Sequence, residues 1–237
     1  MIDNPNLWFE FANREQFNQA VTQRLADTLQ SASLSQKNVL LGVSGGSTPI
    51  PIYRALAEKE LAWNRIKLLL VDERWVPVSN TDSNERNIRE AFSANPHAEK
   101  NIIGLWSDTI TLDAAAIAAD QKLATINEVM DVVVLGMGED GHFASLFPTS
   151  LNFNAAISIH GSRFVLPISP MPKHALHSRL SMSLAYIQRA RRIILAITGE
   201  KKRVVLRQAI AERDEQQLPI AALFKANPPA VEIYWSN

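Results

Sequence analysis

Short, uninterrupted apolar runs separated by helical patterns are the feature that most constrains the fold of this chain. Runs such as KLLLV and VVVL lack polar alternation and are typical of strands covered on both faces. Strand candidates are the segments 38–43, 66–71, 131–135, 164–168, 192–198 and 231–235. Helical patterns lie near residues 13–31, 49–61, 83–93, 112–128, 174–189, 200–212 and 219–226. This alternation predicts an α/β fold with a mostly parallel sheet flanked by helices on both faces.

The organisation of the chain predicts a single domain over residues 1–237. The length of 237 residues suits one large domain, and the sequence shows no internal repeat, low-complexity tract or interdomain linker. The stretch 144–178 carries prolines at 148, 167, 170 and 172. We therefore expect a loop-rich subregion there, inside the one domain.

Composition excludes several classes of function. Lysine and arginine total 24, as do aspartate and glutamate, so the formal net charge is zero and general binding to nucleic acid or membrane surfaces is disfavoured. The absence of cysteine excludes disulfides, thiolate metal sites and a cysteine nucleophile. The sequence shows neither a signal-peptide pattern nor an apolar run long enough to cross a membrane. We expect a cytoplasmic protein that acts on a small molecule, as a monomer or small homo-oligomer.

The first strand end predicts an anion site. In open α/β sheets, ligands bind beyond the carboxyl ends of the strands. The strand at 38–43 runs into SGGSTP, in which a hydroxyl residue can cap a helix that begins at a proline. Exposed amides at such a helix start attract anions. The loop residues concerned are Ser44, Gly45, Gly46, Ser47 and Thr48.

Two further strand ends carry charged clusters. The strand at 66–71 runs into Asp72-Glu73-Arg74, whose charges are costly to bury unless they are paired or functional, so a solvated turn and a functional cluster both remain open. The strand at 192–198 runs into GEKKR at 199–203, where three cations oppose the dipole of the helix that follows. A bound anion contacted by Lys202 or a neighbour would explain them, and a solvated basic face is the alternative.

The segment GMGEDGHFASLFP at 136–148 has the glycine spacing G-x-G-x-x-G but is not a dinucleotide fingerprint. Such a fingerprint needs a long helix after the third glycine and an acidic residue about twenty positions later. Here Pro148 follows Gly141 closely, and the segment 155–165 contains no acidic residue. The glycines instead favour a turn that presents Asp140 and His142 at a strand end, as in a site for proton transfer.

The remaining histidines do not predict a metal site. His174 and His177 have the i, i+3 spacing of two metal ligands on a helix, but no neighbouring carboxylate or thiolate in the sequence completes a site.

These motifs resemble those of the 6-phosphogluconolactonases, which are related to the glucosamine-6-phosphate deaminases and isomerases. The matching segments are SGGSTP at 44–49, DERWVP at 72–77, SNERNIREAF at 83–92, GMGEDGHFASLFP at 136–148 and RLSMSLAYIQRARRIILAITGEKK at 179–202. The resemblance implies a Rossmann-like fold of the NagB/RpiA type. It also implies hydrolysis of 6-phospho-D-glucono-1,5-lactone to 6-phospho-D-gluconate in the oxidative pentose phosphate pathway, without a metal or organic cofactor.

The resemblance and the chemistry together imply roles for individual residues. His142 is the candidate that takes a proton from water and later donates one to the leaving ring oxygen, with Asp140 orienting water or the imidazole. Arg74 serves either the phosphate or the developing oxyanion. The expected phosphate- and substrate-binding residues are Ser44, Gly45, Gly46, Ser47, Thr48, Asp72, Arg179 and Lys202.

Two other functions remain as alternatives. One is a glucosamine-6-phosphate deaminase or isomerase, against which ASLFP and the arginine at position 74 argue. The other is a non-catalytic sugar-phosphate sensor, which would not need Asp140 and His142 together. The chain departs from the lactonase pattern at Asn80, where that family often has a histidine.

Overall fold

A computed structural model of the protein describes residues 7–126, 128–169, 176–225 and 230–237. Its strands are β1 (Leu7–Phe11), β2 (Val39–Val43), β3 (Ile66–Leu70), β4 (Asp72–Arg74), β5 (Ile102–Ile103), β6 (Val132–Leu135), β7 (Val165–Ile168), β8 (Arg179–Met182), β9 (Ile193–Thr198) and β10 (Val231–Ser236). Its α-helices are α1 (Arg14–Ser35), α2 (Pro49–Ala57), α3 (Asn84–Ala91), α4 (Pro96–Lys100), α5 (Leu112–Ile126), α6 (Phe153–Ala156), α7 (Leu184–Ile187) and α8 (Glu200–Glu212). Short 3-10 helices span Trp63–Arg65 and Pro219–Phe224.

A parallel sheet of seven strands forms the centre of the fold. Its order is β1-β10-β9-β6-β2-β3-β5, and the pairings between these strands are all parallel. Strands β2 and β6 are buried along their whole length, as their continuous apolar sequences predict. Helices flank the sheet, so the predicted α/β class is confirmed.

The order of the strands places a switch point between β2 and β6. From β2 the chain continues to β3 on one side, whereas β6 lies on the other side of β2 and leads on to β9. Loops that leave neighbouring strands in opposite directions open a crevice at the carboxyl edge of the sheet. Both glycine-rich segments, 44–46 and 136–141, begin at this crevice.

A second sheet covers the same edge. Strands β4, β8 and β7 pair antiparallel in the order β4-β8-β7. Only Val71 separates β3 from β4, and its carbonyl accepts a hydrogen bond from the Met182 amide at 2.8 Å. The small sheet therefore begins where β3 ends and lies next to the crevice. The residues at 72–74 form a strand rather than a solvated turn.

The prediction of a helix over 174–189 is wrong for residues 176–189, which the structure describes. Residues 179–182 form β8, and only Leu184–Ile187 is α-helical within 176–189, while 170–175 lie outside the described residues. Pairing with β4 on one side and β7 on the other satisfies the backbone of β8, and Leu180 and Met182 are buried. Tertiary pairing thus overrides a sequence that is compatible with a helix. Part of the loop-rich stretch at 144–178 likewise joins this sheet as β7.

No helix in the described ranges is long and apolar enough to span a membrane.

A buried carboxylate ties α1 to the central sheet. Glu232 of β10 is 1% exposed and accepts hydrogen bonds from Arg24 Nε at 2.9 Å and Arg24 Nη2 at 2.7 Å. Arg192, which precedes β9, also donates to this carboxylate, and the Tyr234 hydroxyl donates at 3.3 Å. Such a cluster is stable only while its charges remain paired.

We expect Glu232→Ala to lower the free energy of unfolding by about 3 kcal/mol, because two arginines lose their shared partner. Urea unfolding followed by circular dichroism measures this change. The matched control is Glu60→Ala at an exposed position, for which we expect a change below about 0.5 kcal/mol. Equal effects of the two substitutions would show that the cluster contributes nothing to stability.

Candidate active site

A cleft of about 240 Å³ opens at the carboxyl edge of the central sheet, against the small sheet. It brings together almost all of the residues selected from the sequence. Those that line it are Ser44, Gly45, Gly46, Ser47, Thr48, Asp72, Arg74, His142, Arg179 and Lys202. Asp140 reaches the cleft through its hydrogen bond with His142.

Asp140 and His142 form a hydrogen-bonded pair. His142 Nδ1 lies 2.5 Å from Asp140 Oδ1, which also accepts the His142 backbone amide at 3.2 Å. Burial acts to raise the pKa of Asp140, but the hydrogen bond and charge of His142 outweigh it and lower the pKa to about 2. Asp140 is therefore a carboxylate near neutral pH and can only accept, so Nδ1 carries the proton, and in the neutral imidazole Nε2 is the nitrogen with the lone pair.

A tight turn holds the imidazole in place. The Gly138 amide donates to the His142 carbonyl at 2.8 Å, and Gly141 adopts φ 78° within the turn. Side chains two residues apart can meet here because the turn is not helical. The Phe147 ring packs on the imidazole with a centroid distance of 4.3 Å.

The glycines at 136, 138 and 141 have different constraints. A Cβ at Gly138 would lie 2.3 Å from both Cε1 and Nδ1 of His142, whereas a Cβ at Gly136 would meet nothing within 4 Å. Gly141 is required by its positive φ. The second and third glycines therefore serve the placement of His142.

Arg74 and Arg179 lie side by side on adjacent strands of the small sheet. They are directly paired residues of β4 and β8, and both line the cleft. Burial lowers the pKa of Arg179, Asp72 opposes this shift and Arg74 adds to it. The buried Nε of Arg179 makes no hydrogen bond within the described residues. Like charges directly opposite each other are unfavourable in a sheet, so this pair is suited to an anion between or beside the two guanidinium groups.

Asn84 and Ser145 are cleft residues that the sequence analysis missed. Ser145 Oγ donates to the buried Asp72 carboxylate at 2.6 Å, and Asn84 Nδ2 donates to the Asp72 carbonyl at 3.0 Å. Both residues lie inside motifs that the resemblance had already identified. Only their contacts distinguish them from their neighbours, so a single sequence carries no signal of their roles.

Glu73 is structural and anchors the start of α3. Its side chain is fully buried and accepts from the amides of Arg74, Asn84 and Glu85 at 2.6–2.7 Å and from Ser83 Oγ at 3.0 Å. Burial raises the pKa of Glu73, while these four donors act in the opposite direction. The charge of the central residue in Asp72-Glu73-Arg74 is thus used to cap a helix.

The loop after β2 differs in part from its predicted form. Thr48 is the N-cap of α2, but its hydroxyl makes no capping bond and instead lies 3.4 Å from Thr198 Oγ1 at the end of β9. Ser44 Oγ donates to the Val134 carbonyl of β6 at 2.7 Å, so this hydroxyl holds the loop in place. Gly46 adopts φ 101°, and the backbone of the loop lines the cleft.

Lys202 is the cleft cation among the three predicted in the first turn of α8. Lys201 Nζ lies 3.8 Å from Glu139, and Arg203 pairs with Glu200 at 2.8 Å. Lys202 lines the cleft, and burial lowers its pKa against the opposing charges of Glu139 and Asp140. A partly desolvated ammonium beside the glycine loop favours anion binding.

His177 does not form part of a metal cluster with the described residues. Its Nε2 lies 2.8 Å from Asp82 Oδ2, and His174 falls outside the described residues. Within the described ranges there is no group of three histidine, aspartate or glutamate side chains that could hold a metal ion.

Comparison with known proteins agrees with this geometry. Residues 12–235 match the family model described as glucosamine-6-phosphate isomerases/6-phosphogluconolactonase. The chain belongs to this family. It is 39% identical over 211 residues to the 6-phosphogluconolactonase of Pseudomonas aeruginosa, covering 89% of this chain and 87% of that protein. It is 36% identical over 226 residues to the 6-phosphogluconolactonase of Pseudomonas putida, covering 95% and 91% of the two chains.

Solved structures show the same family fold. The crystal structure of a 6-phosphogluconolactonase from Shewanella baltica matches with a TM-score of 0.93 and 33% identity over 100% of both chains. A monomeric glucosamine-6-phosphate deaminase of the NagB superfamily matches with a TM-score of 0.78 at 20% identity, covering 98% of this chain and 97% of that one, which shows the shared fold alone.

We expect the stability difference between wild type and Asp140→Asn to depend on pH. The pKa of Asp140 falls from 3.8 to about 2 on folding, so its contribution is fully present above pH 3.8 and disappears as the pH falls towards 2. Asp140 is 42% exposed, and screening limits this contribution to about 1 kcal/mol or less. Chemical denaturation across this pH range measures it. The exposed control Asp108→Asn should show no such change, and a pH-independent Asp140 difference would contradict the ion pair.

We expect Gly138→Ala to displace the imidazole, because its Cβ would overlap the ring, while Gly136→Ala leaves it in place. The measurement is the proton NMR signal of the His142 Nδ1–H, which should persist in wild type and Gly136→Ala and disappear in Gly138→Ala. Persistence in all three proteins would contradict the role assigned to Gly138.

Proposed function

We propose that this protein hydrolyses 6-phospho-D-glucono-1,5-lactone to 6-phospho-D-gluconate. The observation that carries the proposal is the pairing of His142 with an ionised Asp140 in a cleft that also holds three cationic side chains. Such a cleft combines a proton-transfer group with a binding site for a phosphorylated substrate. The family and the names of the relatives at 36–39% identity support the same reaction.

The proposed reaction proceeds by two proton transfers through His142. Nε2 takes a proton from water as the water oxygen bonds to the lactone carbonyl carbon. The resulting tetrahedral intermediate collapses, the bond between that carbon and the ring oxygen breaks, and the protonated imidazole returns the proton to the ring oxygen. Asp140 keeps the proton on Nδ1 and stabilises the imidazolium while it exists. The products are a carboxylic acid and a free hydroxyl, so atoms and charge balance.

The proposed phosphate site lies along the glycine loop. The backbone of Gly45, Gly46 and Ser47 lines this part of the cleft, Lys202 supplies an ammonium from α8, and Arg179 supplies a guanidinium from β8. We assign Arg74 to the phosphate as well. Arg74 donates to the side chain of Asn84, and the same side chain lies against the backbone of Gly45 in the glycine loop. Phosphate binding remote from the carbonyl orients the lactone for attack.

The proposed enzyme is a single domain over residues 1–237 that works as a monomer or small homo-oligomer in the cytoplasm, where it acts in the oxidative pentose phosphate pathway. Full mutual coverage with the Shewanella baltica structure supports the domain assignment.

The direct test follows disappearance of the phosphorylated δ-lactone, generated in situ at slightly acidic pH with EDTA present. We expect rapid loss of the phosphorylated lactone and slow loss of the unphosphorylated one. A rate equal to spontaneous opening would overturn the proposal. Release of ammonia from glucosamine 6-phosphate would then indicate the deaminase reaction instead.

We expect His142→Ala to lower kcat by at least about 100-fold, with a much smaller effect on KM, because general acid–base catalysis is lost. The matched control is His160→Ala, at an exposed loop position, which should retain wild-type kinetics. Near-normal turnover of His142→Ala would remove His142 from the mechanism.

A further inference from the structure

The side chain of Asn84 contacts three residues of the candidate site at once. Its Oδ1 accepts from Arg74 Nη1 at 2.6 Å, and its Nδ2 donates to the Asp72 carbonyl at 3.0 Å. On a third side it packs against the glycine loop, since a Cβ at Gly45 would lie 2.0 Å from Asn84 Oδ1. Asn84 is 2% exposed, so water does not replace these contacts.

The contacts require a side chain with one donor and one acceptor. The guanidinium of Arg74 can only donate and the carbonyl of Asp72 can only accept, which also settles the orientation of the carboxamide. An aspartate at position 84 would hold Arg74 but would place a second carboxylate near that of Asp72, whose Oδ1 lies 3.4 Å from Asn84 Nδ2. An alanine would hold neither neighbour.

The hydrogen bonds to Arg74 determine which edge of its guanidinium remains available. Nη1 is shared between Asn84 Oδ1 and the Asp82 carbonyl, at 2.6 and 2.8 Å. Nε and Nη2 make no hydrogen bond within the described residues, and Arg74 lines the cleft. The Nε–Nη2 edge of an arginine binds two oxygens of a phosphate in a fixed geometry.

The backbone of Asn84 is itself held rigidly. Asn84 is the first residue of α3, and its amide donates to the buried Glu73 carboxylate at 2.7 Å. Glu73 directly precedes Arg74 on β4. Strand β4 thus holds the helix start whose first side chain in turn holds the arginine of that strand.

We propose that Asn84 is the positioning residue of the phosphate site. It directs the Nε–Nη2 edge of Arg74 towards the substrate phosphate and fixes the position of that arginine relative to Gly45 in the glycine loop. This rests on the proposed function in that it assigns the phosphate of the lactone to Arg74. Asn84 acts through Arg74 and takes no part in proton transfer.

The test combines kinetics with a double-mutant cycle. The variants are Asn84→Ala, Asn84→Asp, Arg74→Ala and the double variant Asn84→Ala/Arg74→Ala. The matched control is Asn87→Ala on the same helix, outside the cleft. Each protein is assayed for kcat and KM on the phosphorylated lactone, and for the Kd of inorganic phosphate by calorimetry.

We expect Asn84→Ala to raise KM by about 10- to 100-fold, as loss of a charge-assisted hydrogen bond predicts, with a smaller change in kcat. The Kd for inorganic phosphate should weaken in parallel. In the Arg74→Ala background, loss of Asn84 should cost no further affinity, because the two residues act as one unit. Asn84→Asp keeps an acceptor for Arg74 Nη1, but it loses the donor to the Asp72 carbonyl and adds a second carboxylate beside Asp72, so it should also bind phosphate weakly. This variant tests the proposal if Asn84→Ala does not fold. Asn87→Ala should match wild type.

Additive effects of Asn84→Ala and Arg74→Ala would overturn the proposal, as would wild-type phosphate affinity in a folded Asn84 variant. The calorimetry separates this proposal from the proposed function. If wild type does not hydrolyse the lactone but binds phosphate in a manner that depends jointly on Asn84 and Arg74, the positioning role stands and the proposed function falls.

Discussion

The buried carboxylate of Glu73 holds the start of α3 against β4, and the geometry of the cleft depends on it. A charged group with no exposure is unfavourable unless it is fully hydrogen-bonded, and Glu73 meets that condition with three amides and one hydroxyl. Because its neighbours are Asp72 and Arg74, the anchored strand carries one acidic and one basic group into the cleft. The helix it anchors contributes Asn84 between them.

Around this anchor the fold brings cations close together. Arg74 and Arg179 are paired residues of the adjacent strands β4 and β8, and Lys202 lines the same cleft from the helix that follows β9. The Asp72 carboxylate offsets part of the positive charge at Arg179, and the cations that line the same cleft favour an anionic ligand. The proton-transfer pair Asp140 and His142 lies on a different loop, after β6. Separate loops therefore supply binding and chemistry, which suits a substrate whose phosphate is remote from its reacting carbonyl.

The central strands and most of the site residues could be predicted from the sequence, for physical reasons. Parallel strands covered on both faces leave continuous apolar runs, and ligand-binding residues follow such strands at one edge. Edge strands such as β1 and β5 escaped prediction because they are short or partly exposed. The 179–182 segment escaped because its strand conformation is imposed by β4 and β7, to which it is paired across long sequence separations. The role of Asn84 could not be predicted, since it depends on three contacts that exist only after folding.

A crystal structure of the protein with 6-phospho-D-gluconate bound tests this division between phosphate binding and proton transfer most directly. We expect the phosphate to lie against the glycine loop, Arg74, Arg179 and Lys202, and the carboxylate carbon derived from the lactone carbonyl to lie next to His142 Nε2. A phosphate bound at His142, or a ligand bound outside the cleft, would contradict this expectation.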